Sequence, residues 1–545
     1  MRTQPRNTFC CIYVIGIIFQ ISTIVDAFCL PSLPQTESQT PAAQNPAVPA
    51  AVPDAPKSGT TAFPASKIRE TLIGEATAGS EISWARSTEN HLAWVEKANG
   101  EKTVRLDGKQ TGGAYEDVKY VTFSRDEQHV GFIVKRKSKW VMVVDGEDRS
   151  RDYGRLTAPA LSVNGKTFAV GACNGKKCQL VVDNAEVGPE YEDISAPGFT
   201  PDGTHHVYFG KRNKKWVMVL DDKENGLEMD DYQYWEFSSD GKRSAVAALI
   251  KKRWTWVVDG GPGPSFDVIG AIAFSPDSKH YAYGGADEKS GFGKHATHGA
   301  LVVDGQTAQN YDGKGFGGGW AGVFGPQETM VTGVRSLSPD FHGLSDPQYT
   351  SGGKLAYAAR RGEGDVVVFI DGTAGPGFED VVSAIVMTTD GKHSFYVAKR
   401  GESFIEVRDQ QPGASFPGKR DLSFVGTITM TKDGSHTAYE IVRGGRAFKA
   451  GGTNRALRRL VLDSQAGPEY DALGLRDIWF SENGKHSSFL VLGAEGNKDR
   501  VIFDGLEGKL YDAVFHHSVK AIDEQSIEFV AQDGHRFLRV VEALD

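Results

Sequence analysis

Five times in succession the chain returns to the same short phrase after 38 residues, closing an apolar run on an acid at Asp107, Asp145, Asp183, Asp221 and Asp259. The fullest copy is Val141-Met142-Val143-Val144-Asp145-Gly146. Looser copies end at Asp304, Asp371, Asp409, Asp463 and Asp504, at gaps of 45, 67, 38, 54 and 41 residues. A period in this range marks a repeat architecture, in which each unit is too small to bury its own apolar face and must stack on the next. A residue found at every beat is then explained by the scaffold, so function is sought where the beat breaks.

The unit is clearest over residues 191–221. An acidic turn leads into the apolar run 194–199, and Thr200-Pro201-Asp202-Gly203 is a strong turn signal. A second run follows at 206–210, a Lys-rich turn at 211–215, and a third run at 216–220 that ends on Asp221. The stretch from there to Tyr232 has room for a short outer strand. Four short antiparallel strands in about 40 residues are the size of one β-propeller blade.

The turn phrase recurs as Phe123-Ser124-Arg125-Asp126, Phe237-Ser238-Ser239-Asp240-Gly241, Phe274-Ser275-Pro276-Asp277, Met387-Thr388-Thr389-Asp390-Gly391, Met430-Thr431-Lys432-Asp433-Gly434 and Phe480-Ser481-Glu482-Asn483-Gly484. The aromatic or Met ends a strand, and Asp-Gly or Asn-Gly supplies the positive φ of a tight hairpin. With the Ala-Tyr-type strand that follows, best seen over 274–283, these phrases resemble the TolB-like and WD-repeat-like propeller repeats of bacterial envelope proteins. The resemblance runs from residue 67 to 545 and implies an all-β propeller. It implies little about chemistry, because the same blade serves scaffolds, ligand binders and enzyme lids.

Eleven hairpin units can be counted. The reading is an all-β chain of about eleven four-stranded blades in two propellers, 67–305 and 354–545, joined through a Gly-rich insertion at 306–353. One large ring is the alternative. Residues 68–74 precede the first unit and the last strand ends near Val541, so the early segment is expected to complete the last blade's outer edge. Arg2 and Arg6, an apolar run over 9–25 and Val25-Asp26-Ala27 read as a signal peptide at 1–27. Residues 28–66, rich in Pro and Ala, read as a disordered linker. These segments predict a periplasmic or secreted monomer with no stable membrane span after cleavage.

A net charge of -9 and a pI near 5.9 argue against nucleic acid as a partner. Of five cysteines, Cys10 and Cys11 leave with the signal. Cys173 and Cys178 flank a hairpin-like turn and are either a cross-strand pair or two free thiols; no second Cys or His pair stands near them in sequence to make a metal site. His129, His206, His280, His393, His436 and His486 recur at one place after the hairpin turn and read as structural. His295 and His298, in an enlarged loop, are the pair to test for metal. No nucleophile elbow, His-Glu-x-x-His or P-loop occurs, so no catalytic residue, metal or cofactor is assigned.

What remains is a basic turn between second and third strands: Lys135-Arg136-Lys137-Ser138-Lys139-Trp140, Lys176-Lys177, Lys211-Arg212-Asn213-Lys214-Lys215-Trp216 and Lys251-Lys252-Arg253-Trp254. On stacked blades these turns share one face, opposite the Asp-bearing turns, and make a basic collar on an acidic protein. Solvated hairpin tips are the plainer reading. The candidate binding residues are Lys137, Trp140, Lys214, Trp216, Lys252 and Trp254, with Trp320 and His342 from the insertion. The expected function is a non-catalytic binding platform for a protein or an anionic envelope glycan. The alternative is a propeller hydrolase or lyase using Asp340, His342 and Asp346 beside Trp320.

Overall fold

Short β-branched and aromatic runs separated by positive-φ turns favour antiparallel hairpins, and hairpins make up the described residues. The computed structural model describes residues 67–544, apart from 288–297, 313–346, 351, 361–364, 418–421, 444–455, 482–483 and 517. The signal segment, the linker, most of the 306–353 junction and His295 lie outside the described residues. Among those described, the one helical element is the short 3-10 turn Glu495–Asn497, and no helix is long and apolar enough to cross a membrane.

The strands form eleven sheets, each of four antiparallel strands; in ten of them neighbours run in chain order, and in the eleventh Lys67–Glu75 takes the outermost place. In four of the sheets the first strand is split into two short pieces, as at Arg155–Leu156 and Ala160–Leu161. We number the sheets blades 1 to 11. They begin with first strands at residues 81, 117, 155, 193, 231, 268, 348, 380, 422, 474 and 513. First strands of successive blades approach one another, as Asp117–Phe123 does Ala160–Leu161 and Val268–Phe274 does Gln348–Tyr349, which places them toward the axis.

The repeating Asp has a local task. Asp107, Asp145, Asp259 and Asp504 have φ of 48–51° and are followed by Gly at 78–85°, the two left-handed positions of a type I′ turn joining third and fourth strands. The carboxylate then reaches sideways. Oδ1 accepts the first backbone N–H of the second strand at Leu92 (2.9 Å), Val130 (2.9 Å), Tyr281 (3.0 Å) and Ser394 (2.7 Å). Oδ2 meets Nδ1 of the preceding histidine in the pairs His91–Asp107 (2.7 Å), His129–Asp145 (2.6 Å), His280–Asp304 (2.7 Å), His393–Asp409 (2.9 Å), His436–Asp463 (2.6 Å) and His486–Asp504 (2.5 Å). In blade 4 the residue in this series is His205, paired with Asp221, one position before the His206 expected from sequence. His206 turns instead to Asp222, with Nε2 3.2 Å away. Blade 5 uses Arg243, whose Nε donates to Asp259 at 2.9 Å.

The Ser/Thr-x-Asp phrase closes the hairpin beside it. Ser124, Ser238 and Thr388 donate their hydroxyls to Asp126, Asp240 and Asp390 at 2.6, 2.6 and 2.7 Å. The Thr388 hydroxyl, with Lys392, holds the Asp390 carboxyl well below the usual carboxylate range. Antiparallel order puts these turns and the Asp-Gly turns on one face of the ring, and the turns between second and third strands on the other.

Among the described residues eleven apolar clusters fill the seams, one per junction. Phe132 of blade 2 packs with Val95 and Tyr115 of blade 1, and Tyr283 of blade 6 with Trp256 of blade 5. Fully burying such a side chain contributes about 1.5–3 kcal/mol. Two clusters decide the ring count. Ala282 and Leu301 of blade 6 pack with Tyr357 and Ala359 of blade 7, across the junction expected to divide two propellers. Leu92 and Trp94 of blade 1 pack with Val530 and Phe537 of blade 11, with the Trp94 and Phe537 rings 4.5 Å apart. The described residues therefore form one closed ring of eleven blades, the alternative the sequence offered, and the expected pair of propellers is corrected. The physical reason is that blade 6 has no free apolar face on which a first ring could end.

Closure follows the sequence expectation. Lys67–Glu75 pairs antiparallel with Arg536–Ala543, from Lys67 opposite Ala543 to Glu75 opposite Arg536, and forms the outer strand of blade 11. It also restores a repeated link between blades. Tyr153 and Tyr191 donate their hydroxyls to Glu186 (3.0 Å) and Glu224 (2.8 Å) on the next blade's outer strand; Tyr511 donates to Glu70 at 2.9 Å, and Lys509 joins it at 2.8 Å. The Lys509 bond, opposed by partial burial and helped by Tyr511, holds the Glu70 carboxyl below its ordinary value of 4.5. A lowered folded-state pKa stabilises fully above the unfolded value and is lost as pH falls through the folded one. Closure should therefore weaken below about pH 4.5. We expect Glu70→Ala to cost about 1–2 kcal/mol and to abolish that acid-side loss, read from urea unfolding at pH 7 and pH 3.5 and from proteolytic release of the first strand.

Candidate anion-binding face

The tips between second and third strands are two-residue turns whose conformation demands positive φ. Blade 1 meets this with Asn99 (52°) and Gly100 (85°), which adopt it easily. Blades 2, 4 and 5 place lysine there: Lys137 at 45° beside Ser138 at 63°, Lys214 at 65° beside Asn213 at 51°, and Lys251 and Lys252 at 50° and 67°. A left-handed lysine costs about 1–2 kcal/mol that Gly would not. Strain retained at an exposed tip in three blades is the kind of outlier from which a functional reading starts.

Many cations on this face are tied to acids. Lys102 pairs with Asp117 of the next blade at 2.7 Å, Lys177 with Glu190 at 2.9 Å, Arg212 with Glu224 at 2.8 Å, and Arg253 with Asp267 (2.9 Å) and Asp287 (2.6 Å); Lys215 pairs with Asp230. Acids before the first strand also cap tip amides, Glu116 taking Ser138 N–H and Glu192 taking Asn213 N–H, both at 3.4 Å. These acids dilute the collar, as the sequence suggested. Among the described residues Lys137, Lys139, Lys176, Lys214, Lys251 and Lys252 are exposed and make no ion pair. They form an arc over blades 2 to 5.

The structure brings Lys137, Lys214 and Lys252 onto this arc and sets Trp140, Trp216 and Trp254 at its base, half-buried. Each Trp backbone bonds the strand leaving its own blade, at Tyr153, Met229 and Phe266, over 2.8–3.0 Å. The Trp216 ring meets Tyr232 edge-on at 5.2 Å, and Tyr232 stacks on Phe209 at 3.9 Å. Lys119 Nζ sits 4.7 Å from the centre of the Trp140 ring and Lys211 Nζ 5.1 Å from that of Trp216. These tryptophans are thus already engaged with their own scaffold. Trp320, Asp340, His342 and Asp346 lie outside the described residues.

One feature on the arc's inner border escaped sequence reading. A cleft of about 210 Å³ between blades 1 and 2 is lined by Trp84, Lys102, Lys119 and Tyr120 among others. Tyr120 sits in a β-bulge, where pairing skips from Lys119–Ile133 to Thr122–Gly131, with φ 56° and half its surface exposed. The alternation of Val118-Lys119-Tyr120-Val121-Thr122 stumbles there, which was the one available signal. At the tip of blade 3 the structure decides between the two readings the sequence left open. Cys173 and Cys178 stand directly opposite each other, Cα atoms 4.0 Å apart, joined as a disulfide.

No family model matches the chain, and no curated protein sequence matches it. Solved structures similar to it are an initiation factor described as eukaryotic (10% identity, 73% of this chain and 96% of that one, TM-score 0.36), TolB from Acinetobacter baumannii (15%, 43% and 60%, 0.23) and the β-propeller domain of the Trilobed protease from Pyrococcus furiosus (14%, 62% and 95%, 0.23). These likenesses carry no residue role to this chain. The eleven four-stranded antiparallel sheets, each packed on the next around one axis, are the blades of a β-propeller.

The division of labour between tip and base can be measured. Trp216→Ala should destabilise the ring by about 2–4 kcal/mol, a little below the loss for a fully buried Trp. Lys214→Ala should leave stability within about 0.5 kcal/mol. Denaturant midpoints of the two variants test this.

Proposed function

We propose that the protein is an exported, non-catalytic platform whose arc over blades 2 to 5 binds an anionic protein or glycan. The observation that carries this reading is the set of unpaired lysines at successive tips, four of them, on three blades, held at left-handed positions where Gly is cheaper. Their charges stand on one face of a molecule of net charge -9, so an acidic partner is steered toward that face alone. The cleft beside Tyr120 and Trp84 offers aromatic surface where such a partner crosses toward the axis. Export rests on residues 1–27, and reach on the linker at 28–66.

The full chain should bind a sulfated-polysaccharide column and elute with salt. The triple variant Lys137→Glu, Lys214→Glu, Lys252→Glu should elute at markedly lower salt with unchanged circular dichroism. Reversal of Lys242, Lys279 and Lys392, on the opposite face, should leave elution where it was. Equal loss from both triple variants would reduce the arc to bulk charge and overturn the reading.

A further inference from the structure

At the tip of blade 3 the fold assembles three potential ligands that the sequence keeps apart. Cys173 and Cys178 belong to one hairpin, and Asp193 opens the first strand of blade 4. One ligand atom from each lies within 4.8 Å of the others, and both cysteines are buried. The centre of this group is already occupied by positive charge. Arg155 Nη2 lies 2.9 Å from Cys173 Sγ and 3.6 Å from Cys178 Sγ and also donates to Asp193 Oδ1. A single cationic nitrogen thus touches all three donors.

We propose that this tip is a redox-gated metal site: once its disulfide is reduced, Cys173, Cys178 and Asp193 bind a thiophilic divalent cation, with Arg155 as the displaceable occupant. Two thiolates and a carboxylate suit Zn²⁺, with water completing a tetrahedron. Bonds of about 2.3 Å to sulfur and about 2.0–2.2 Å to oxygen place tetrahedral donors roughly 3.3–3.8 Å apart, within reach of the observed cluster after the sulfurs separate. The disulfide closes only a short loop already held by hairpin bonding, so it constrains the unfolded chain little and its opening leaves the blade folded. The steps balance. A dithiol reductant gives two electrons and two protons to the S–S bond and leaves as its own disulfide, producing two thiols. The cation then binds as both thiols lose their protons to solvent and Arg155 swings off Asp193 into water, where half of its side chain already lies.

The test uses the full chain, reduced with a dithiol and freed of it under nitrogen, then titrated with Co²⁺ and Zn²⁺. Reduced protein should show a thiolate-to-cobalt charge-transfer band that saturates at one equivalent and is displaced by Zn²⁺. The oxidised chain should show none. Asp193→Asn should weaken Co²⁺ binding at least about tenfold, and Arg155→Ala should strengthen it by about threefold or more as the competing cation goes. Cys173→Ser with Cys178→Ser should remove the band. Full binding in that double variant would assign the metal to Cys10, Cys11 or Cys29 and overturn the proposal, as would an unchanged Asp193→Asn. Comparing oxidised with reduced wild-type protein needs no variant, so a folding defect cannot mask the answer; absence of the band after reduction overturns the site outright.

Discussion

Everything in this ring depends on its being closed. Each blade exposes two apolar faces, and neither is covered unless another blade lies on each side. Ten seams arise from chain neighbours at little topological expense. The eleventh joins parts of the chain more than four hundred residues apart, and it rests on Lys67–Glu75 lying against Arg536–Ala543 while Trp94 packs on Phe537. Glu70 then takes the place that Glu186 and Glu224 fill elsewhere, so the closing strand reproduces the ordinary contact between blades.

Within a blade the recurring acid does what an apolar run cannot. The hydrophobic pattern and the turn geometry together set the register of a hairpin. The Asp contributes the turn part, its backbone opening the two left-handed positions and its carboxylate pinning the start of the second strand. Histidine on Oδ2 is an accessory, since Arg243 substitutes for it in blade 5. This explains why so many exposed His–Asp pairs here imply no catalysis: each is a turn clamp multiplied by repetition.

The two faces of the ring differ because antiparallel order sorts the turns. Clamping acids gather on one side and lysine-bearing tips on the other. The basic face is restrained by acids that enter each blade, which pair with the cations at the strand bases and leave the tips free. The proposed binding arc and the proposed thiol site beside it would use different parts of that face. The lysines rely on exposure, whereas Cys173, Cys178 and Asp193 rely on the seam between blades 3 and 4.

The sequence by itself determined the blade. The 38-residue beat, the Asp-Gly and Ser/Thr-x-Asp turns, the count of eleven, the early strand that seals the last blade and the basic tips at Lys137, Lys214 and Lys252 were all legible, because short-range turn chemistry and strand alternation are written in adjacent residues. The tertiary structure decided what depends on rotation accumulated from blade to blade and on contacts distant in sequence. It set one ring in place of two, His205 rather than His206 on Asp221, the half-burial of Trp140 and Trp216 at a seam, and the meeting of Asp193 with two cysteines. No local pattern encodes these, since each depends on how neighbouring blades stack.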